Sequence, residues 1–404
     1  MKKLLSCLLV VLIILAIIYS SSFLEGKDKK EPVENEVSEK DLWVERQLDN
    51  MTLEEKIGQM LMVFDYSTIV DEELLNKLNT IKPGGFILFS ENFESYEQTK
   101  KLIEDINSTS DIPMFISIDQ EGGRVQRLKN LSDVEVTIIP SMYNLGLTKD
   151  KELAFEVGRI VGEELRVFGI NMNFAPVLDI YSNPENTVIG NRSFGTTSNL
   201  VSDMALSFAN GQESTGIISA YKHFPGHGDT SEDSHNTLPV ITKTKEELME
   251  LELRPFIEAI NKGADVIMVG HLAIPDITSD NTPASLSREV VTDLLKEELG
   301  YKGLVITDAL NMDALTNNYT EEEIYINAIN AGVDILLMPD FDSDTIEMIV
   351  NAISSGTITM EEINDSVEKI LELKYDKLFI ENTYTKEYLG SLEHQEIISR
   401  IPAN

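Results

Sequence analysis

The sequence predicts one α/β domain, a (β/α)8 TIM-like barrel. Short apolar, β-branched runs alternate with amphipathic stretches over about 350 residues, the rhythm that gives parallel strands joined by helices. Eight such runs are present, enough to close a barrel. No Gly-rich phosphate fingerprint follows the first run, which argues against the alternative, an open doubly wound sheet.

Strands are expected at residues 60–65, 85–90, 114–119, 171–179, 217–223, 265–271, 304–308 and 333–338. Between them, residues 151–168, 246–262, 287–299 and 321–331 carry apolar side chains at helical spacing. Thr52-Leu53-Glu54-Glu55 has the pattern of a capping box and opens a helix through Gln59. Gly122 and Gly123 predict a tight turn after the third strand. In the distal segment 357–379, Ile363, Val367, Ile370, Leu371, Leu373 and Leu378 form an apolar stripe expected to pack on the barrel's outside.

The ends of these strands are charged: Asp119, Asp179, Lys222 with His223, His271 and Asp308. In a barrel they converge on one face, where the active sites of this architecture lie. Any one of them alone could be a structural partner of a neighbour, but five strands ending this way favour a site.

Composition sets the boundaries of function. A formal charge of −36 argues against a nucleic-acid groove or an anionic membrane surface, both of which attract Lys and Arg. The single cysteine, Cys7, lies in the N-terminal apolar run, so the folded part has neither an internal disulfide nor a thiol nucleophile. Lys2 and Lys3 precede an uncharged apolar run from Leu4 to Tyr19 and then Ser20 to Ser22, the layout of a secretory leader, either cleaved near Ser22 or kept as a membrane anchor. An exported protein is therefore expected, extracellular or anchored on the outer face of the cytoplasmic membrane. The expected organisation is a leader at 1–22, a charged spacer at 23–41, the barrel at 42–390 and a tail at 391–404, with no second α/β domain.

One loop concentrates chemistry. Residues 222–235 hold three of the five His, three acidic residues and Lys222. Three readings compete. His223 and His227 have the i, i+4 spacing of metal ligands on a helix, but Pro225 and Gly226 lie between them and oppose a helix. Alternatively, the Asp and His side chains tie down a polar loop by hydrogen bonds. In the leading reading, Asp233 orients and charges His235 for general acid/base work, since residues two apart in an extended segment project to the same side.

Residues 222–235, together with Ile118-Asp119-Gln120-Glu121-Gly122-Gly123-Arg124-Val125, Gly190-Asn191-Arg192-Ser193-Phe194-Gly195 and Thr307-Asp308-Ala309-Leu310, resemble glycoside hydrolase family 3, in particular its bacterial β-N-acetylglucosaminidases (β-hexosaminidases). The resemblance runs from about Leu53 to about Lys377. It implies that Asp308 is the nucleophile and that His235, partnered by Asp233, is the acid/base. It also implies that Asp119, Arg127, Arg192, Lys222 and His223 hold the non-reducing N-acetylglucosamine. Each of these has a structural alternative; Arg127 or Arg192, for example, could pair with Asp179 or Glu121. His271 and Asp179 are supporting residues, and His227 and Asp229 loop architecture. One nucleophile with one acid/base gives a retaining double displacement. An imidazole in place of the usual second carboxylic acid predicts a neutral to mildly acidic optimum. A loop hinged at Gly226 and Gly228 would let substrate close His235 onto the site.

The function expected is that of an exo-acting β-N-acetylglucosaminidase trimming peptidoglycan fragments or chito-oligosaccharides, without metal or organic cofactor. Its alternatives are a phosphorylase, in which phosphate replaces water, and a catalytically silent cell-wall-binding protein.

Overall fold

The computed structural model describes residues 38–230 and 237–403. Val44–Asn404 forms one compact unit; of the preceding one, Met1–Trp43, only the start of the helix Glu39–Asn50 is described. The apolar run at 4–19 lies outside the described residues, and no described helix is long and apolar enough to cross a membrane.

Ten strands are described. Eight form one all-parallel sheet: β1 (Leu61–Phe64), β2 (Gly85–Leu88), β3 (Phe115–Ile118), β6 (Met172–Asn173), β7 (Ile218–Phe224), β8 (Val266–Val269), β9 (Leu304–Thr307) and β10 (Leu336–Leu337). From β1 to β9 each pairs with the next, and β10 returns to β1 through Leu61 opposite Leu336. Between β9 and β10 the ring is joined by a parallel bridge from Ile306 to Ile335 and by the Leu310 N–H, which donates to Leu337 O at 2.9 Å. All eight expected strands are therefore present in the expected order, in a nearly closed barrel. Their inner and outer faces are both covered, which is why they read as unbroken apolar runs; β2, β3, β7, β8 and β9 are buried throughout.

The remaining two strands, β4 (Gln120–Gly122) and β5 (Val125–Gln126), make a small antiparallel hairpin just past β3. Its turn uses Gly122 at φ 109° and Gly123 at φ 58°, left-handed conformations open to glycine without penalty. Gly122 is also confined, because an added Cβ would lie 2.9 Å from Pro140 O.

Thr52 caps the helix Leu53–Gln59 as its sequence indicates: its hydroxyl accepts from Glu55 N–H and the Glu55 carboxylate accepts from Thr52 N–H. The helices Lys151–Phe168 and Glu321–Ala331 coincide with their expected ranges.

Elsewhere the expectations need correction. The fourth barrel strand was expected over 171–179, but its ladder is only Met172–Asn173. Pro176 has no N–H to donate, and pairing resumes as a bridge from Val177 to Lys222. The expected helix at 246–262 divides into Lys245–Glu250 and Arg254–Asn261, because Pro255 cannot donate to the Leu251 carbonyl. The helix expected at 287–299 is wound more widely, as a π-helix over Glu289–Glu298. The distal segment forms the helix Met360–Leu378 and buries Ile363, Val367, Ile370 and Leu371. Leu373 and Leu378 are only half-buried, whereas Lys374 is fully buried, its Nζ donating to Gln59 Oε1 at 2.7 Å. Burial pulls the Lys374 ammonium down to about 7.

Residues 391–404, expected as a tail, include the helix Leu392–Ile398, which docks by a buried histidine. His394 Nε2 meets Glu163 Oε2 at 2.9 Å and Nδ1 meets Glu164 Oε1 at 3.2 Å, both on the Lys151–Phe168 helix.

Candidate active site

At the C-terminal ends of the barrel strands lies a cavity of about 350 Å³. Six of the residues expected in the site line it together: Asp119, Arg127, Arg192, Lys222, His223 and Asp308. Asp233 and His235 fall outside the described residues.

Lys222, near the end of β7, is the hub. Its Nζ lies 2.6 Å from Asp119 Oδ1 and 2.7 Å from Glu121 Oε1. Glu121 is also gripped from its other side by Arg192, with Nε 2.8 Å from Oε2 and Nη2 2.7 Å from Oε1. This fork is the geometry for which a guanidinium is suited. Burial opposes the Glu121 charge, but Arg192 and Lys222 overcome it and hold the carboxyl well below the usual range. Burial likewise opposes the Lys222 charge, and Asp119 and Glu121 raise its pKa in spite of it.

Glu121 was not expected among the site residues. Its signal was available in the sequence: it stands two residues beyond Asp119, so the strand-like hairpin sends both carboxylates the same way. The sequence also left open whether Arg192 pairs with Glu121 or Asp179, and Glu121 is its carboxylate partner.

The hairpin is held by amides. Gln120 Oε1 accepts the Arg127 N–H at 2.8 Å, and Asn173 brackets the Gln120 backbone at 2.9 and 3.0 Å. Arg127 is thereby placed over the Phe89 ring, 5.5 Å from its centroid, with Nη2 3.4 Å from Asp119 Oδ2. Its Nε is buried without a hydrogen-bond partner, a donor that a bound polar ligand would satisfy.

Asp179 performs a different task. Fully buried, it accepts from His223 Nδ1 at 2.7 Å and from the His227 N–H at 2.7 Å. Burial works against its charge, and the His223 and His227 rings outweigh burial to hold its pKa below the ordinary value. This bond fixes the His223 tautomer and leaves Nε2 as the ring's other polar atom. His227 also lines the cavity, and burial pulls it down to about 4, so the ring is neutral near pH 7. His271 Nε2 lies 2.9 Å from Ala309 O and Nδ1 2.7 Å from Ser285 Oγ, bracing the backbone beside Asp308.

Gly226, at φ 124°, and Gly228 are both packed: an added Cβ would lie 2.8 Å from Glu252 Cβ at the first and 1.7 Å from Ile180 O at the second. Asn186 ties this stem to the Arg192 segment, donating to His227 O at 2.7 Å and accepting the Ile189 N–H at 2.8 Å.

Asp308 differs from the other acids of the cavity. Asp119 and Glu121 are each engaged by Lys or Arg, whereas Asp308 has no ion pair among the described residues. Its Oδ1 accepts the Ala309 N–H at 2.8 Å. Burial alone would raise its pKa, but the His223 and His271 rings, the Ala309 N–H and Lys222 hold it below the ordinary value. The result is an ionised carboxylate open to the cavity. Among the described residues no group of three or more His, Cys, Asp or Glu is arranged to hold a metal ion.

An ionised carboxylate beside a cradle of cations and carboxylates suits a glycoside-cleaving site, and the family model for the glycosyl hydrolase family 3 N-terminal domain matches residues 52–373. The chain belongs to glycosyl hydrolase family 3. It is 34% identical over 335 residues to beta-hexosaminidase A of Pseudoalteromonas piscicida, covering 76% of this chain and 56% of that one. To the beta-hexosaminidase of Psychromonas ingrahamii it is 34% identical over 324 residues, covering 77% and 92%. The family 3 beta-N-acetylglucosaminidase from Paenibacillus sp. str. FPU-7 superposes with a TM-score of 0.81 at 38% identity, covering 87% of this chain and 68% of that one. The chain thus spans little more than half of the Pseudoalteromonas relative and most of the Psychromonas one.

Proposed function

We propose that the protein is a retaining exo-β-N-acetylglucosaminidase that removes terminal β-linked N-acetylglucosamine from peptidoglycan fragments or chito-oligosaccharides. The observation that carries this reading is the state of Asp308: ionised, open to the cavity and without an ion pair among the described residues, as suits a nucleophile. The names of the relatives support the sugar.

In this reading Asp119 accepts hydrogen bonds from sugar hydroxyls, while Arg127, Arg192, Lys222 and His223 donate. Glu121 keeps Arg192 and Lys222 in place. Asp308 attacks the anomeric carbon as the glycosidic bond breaks, and His235 gives its proton to the departing oxygen. Water then attacks the glycosyl-Asp308 ester and loses a proton to His235, which frees Asp308 and releases the sugar with its configuration retained. Asp233 orients and charges the His235 ring. Export, with the leader either cleaved or kept as an anchor, is part of the proposal and rests on the N-terminal sequence.

The test is release of 4-nitrophenol from its β-N-acetylglucosaminide by the parent and by Asp308→Ala, with and without phosphate. Turnover by the parent, reduced about 10³-fold or more in the variant, is expected. Sugar 1-phosphate as the main product would replace the hydrolase with a phosphorylase. Binding without turnover by a folded parent would leave a wall-binding protein.

A further inference from the structure

The orientation of the Asp308 carboxylate depends on one hydrogen bond. Among the described residues the Ala309 N–H is its sole donor, reaching Oδ1 at 2.8 Å and leaving Oδ2 without one. That N–H belongs to the planar peptide unit between Asp308 and Ala309, so whatever fixes the plane also aims the carboxylate.

The peptide units on both sides of this plane are pinned. Before it, the Asp308 N–H donates to Val269 O at 2.9 Å. After it, the Leu310 N–H donates to Leu337 O at 2.9 Å, and the carbonyl of the same unit, Ala309 O, lies 2.9 Å from His271 Nε2. Val269 and Leu337 anchor through the main chain of the neighbouring strands β8 and β10. His271, two residues past β8, anchors through a side chain.

The His271 ring is itself held at both nitrogens. A carbonyl can only accept, so Nε2 carries the hydrogen, while Nδ1 lies 2.7 Å from the hydroxyl of Ser285 on the turn Ala284–Leu286. Both side chains are fully buried. A core histidine could satisfy its nitrogens anywhere, but this one meets a carbonyl at the cavity wall, past the last residue of β9, where the strand's own ladder has ended. Its ring also helps to keep Asp308 ionised.

We infer that His271 is a positioning residue for Asp308, holding Oδ2 toward the anomeric carbon through the Ala309 peptide; the inference rests on the glycosidase reading above. The cradle of Asp119, Glu121, Arg192 and Lys222 is knit by its own ion pairs. Loss of the His271 donor therefore falls on bond formation and not on sugar binding.

The test measures three quantities in the parent, His271→Leu, His271→Gln and Ser285→Ala: turnover of 4-nitrophenyl β-N-acetylglucosaminide, inhibition by free N-acetylglucosamine, and the rate of covalent labelling by a 5-fluoro-N-acetylglucosaminyl fluoride. His271→Leu should slow labelling and kcat about 10- to 100-fold while the inhibition constant stays within about twofold of the parent. His271→Gln, whose amide nitrogen can donate to Ala309 O, should recover most of the rate. Labelling at the parent rate in a folded His271→Leu, sugar binding lost in step with the rate, or a Gln variant as slow as the Leu variant overturns the positioning role and leaves the glycosidase intact. If His271→Leu does not fold, Ser285→Ala decides: labelling about threefold slower with sugar binding kept supports the role, and the parent rate overturns it. A folded parent that turns over without being labelled removes Asp308 as nucleophile, and one that does neither removes the glycosidase reading; in both cases the inference falls with it.

Discussion

The Lys222 ammonium lies 2.6 Å from Asp119 Oδ1, tying β7 to the end of β3 past the intervening β6. Through the same nitrogen it reaches Glu121, and through Glu121 the site reaches Arg192. The cradle thus carries charge on nearly every side chain, yet its members hold one another in fixed positions. A sugar can exchange hydrogen bonds with such a cradle without having to organise it first.

Lys222→Met tests this coupling. It leaves the almost fully buried Glu121 with Arg192 alone and takes from Asp119 its shorter cationic contact. Breaking a buried pair from one side is expected to cost about 3–5 kcal/mol of stability, measured by urea unfolding. Activity should fall further than stability alone explains, because the proposed function makes Lys222 a sugar-binding donor as well. A variant as stable and as active as the parent would dissolve the cradle.

The pH profile separates the roles proposed for Asp308 and His235. Asp308 has its pKa held below the ordinary value, so it stays ionised through mildly acidic pH. In the proposed mechanism His235 starts protonated, so kcat/KM should fall as pH rises through its pKa, about 6.5 before any influence of Asp233. The profile is expected to be broad on the acid side and limited on the alkaline side by one proton. Asp233→Asn should move the alkaline limb to lower pH, because a carboxylate partner favours the imidazolium; an unmoved limb would separate Asp233 from His235.

A second histidine governs stability instead of activity. Burial disfavours the charged His394 ring, but its bonds to Glu163 and Glu164 raise it to about 9. A raised histidine binds its proton more tightly folded than unfolded. Its contribution is therefore complete below about pH 6.5 and is lost as pH rises toward 9, on the order of 2–3 kcal/mol. Tm should decline across that window in the parent and stay flatter in His394→Gln.

Much of this was legible in the sequence because strand periodicity and the strand-end charges depend on local pattern. Asp119, Lys222 and Asp308 each close or follow an apolar run, and the barrel brings those ends together. Other parts were set by long-range partners. Glu121 is two residues past a strand and becomes a site residue only once Arg192, 71 positions away, folds onto it. Lys374 sits where the helical stripe calls for an apolar side chain, and Gln59, 315 positions distant, is what accommodates its ammonium. The short fourth strand was obscured because residues 174–178 are as apolar as a strand, while Pro176 lacks the donor a ladder needs.

The central claim is that Asp308 becomes covalently bound to the sugar. The most direct measurement is mass spectrometry of peptides from the protein after brief exposure to a 5-fluoro-N-acetylglucosaminyl fluoride, whose good leaving group and slowed second step let the ester accumulate. The account predicts one glycosyl adduct on the peptide containing Asp308, absent from Asp308→Ala. An adduct on a different carboxylate, or none from a parent that visibly hydrolyses N-acetylglucosaminides, would contradict it.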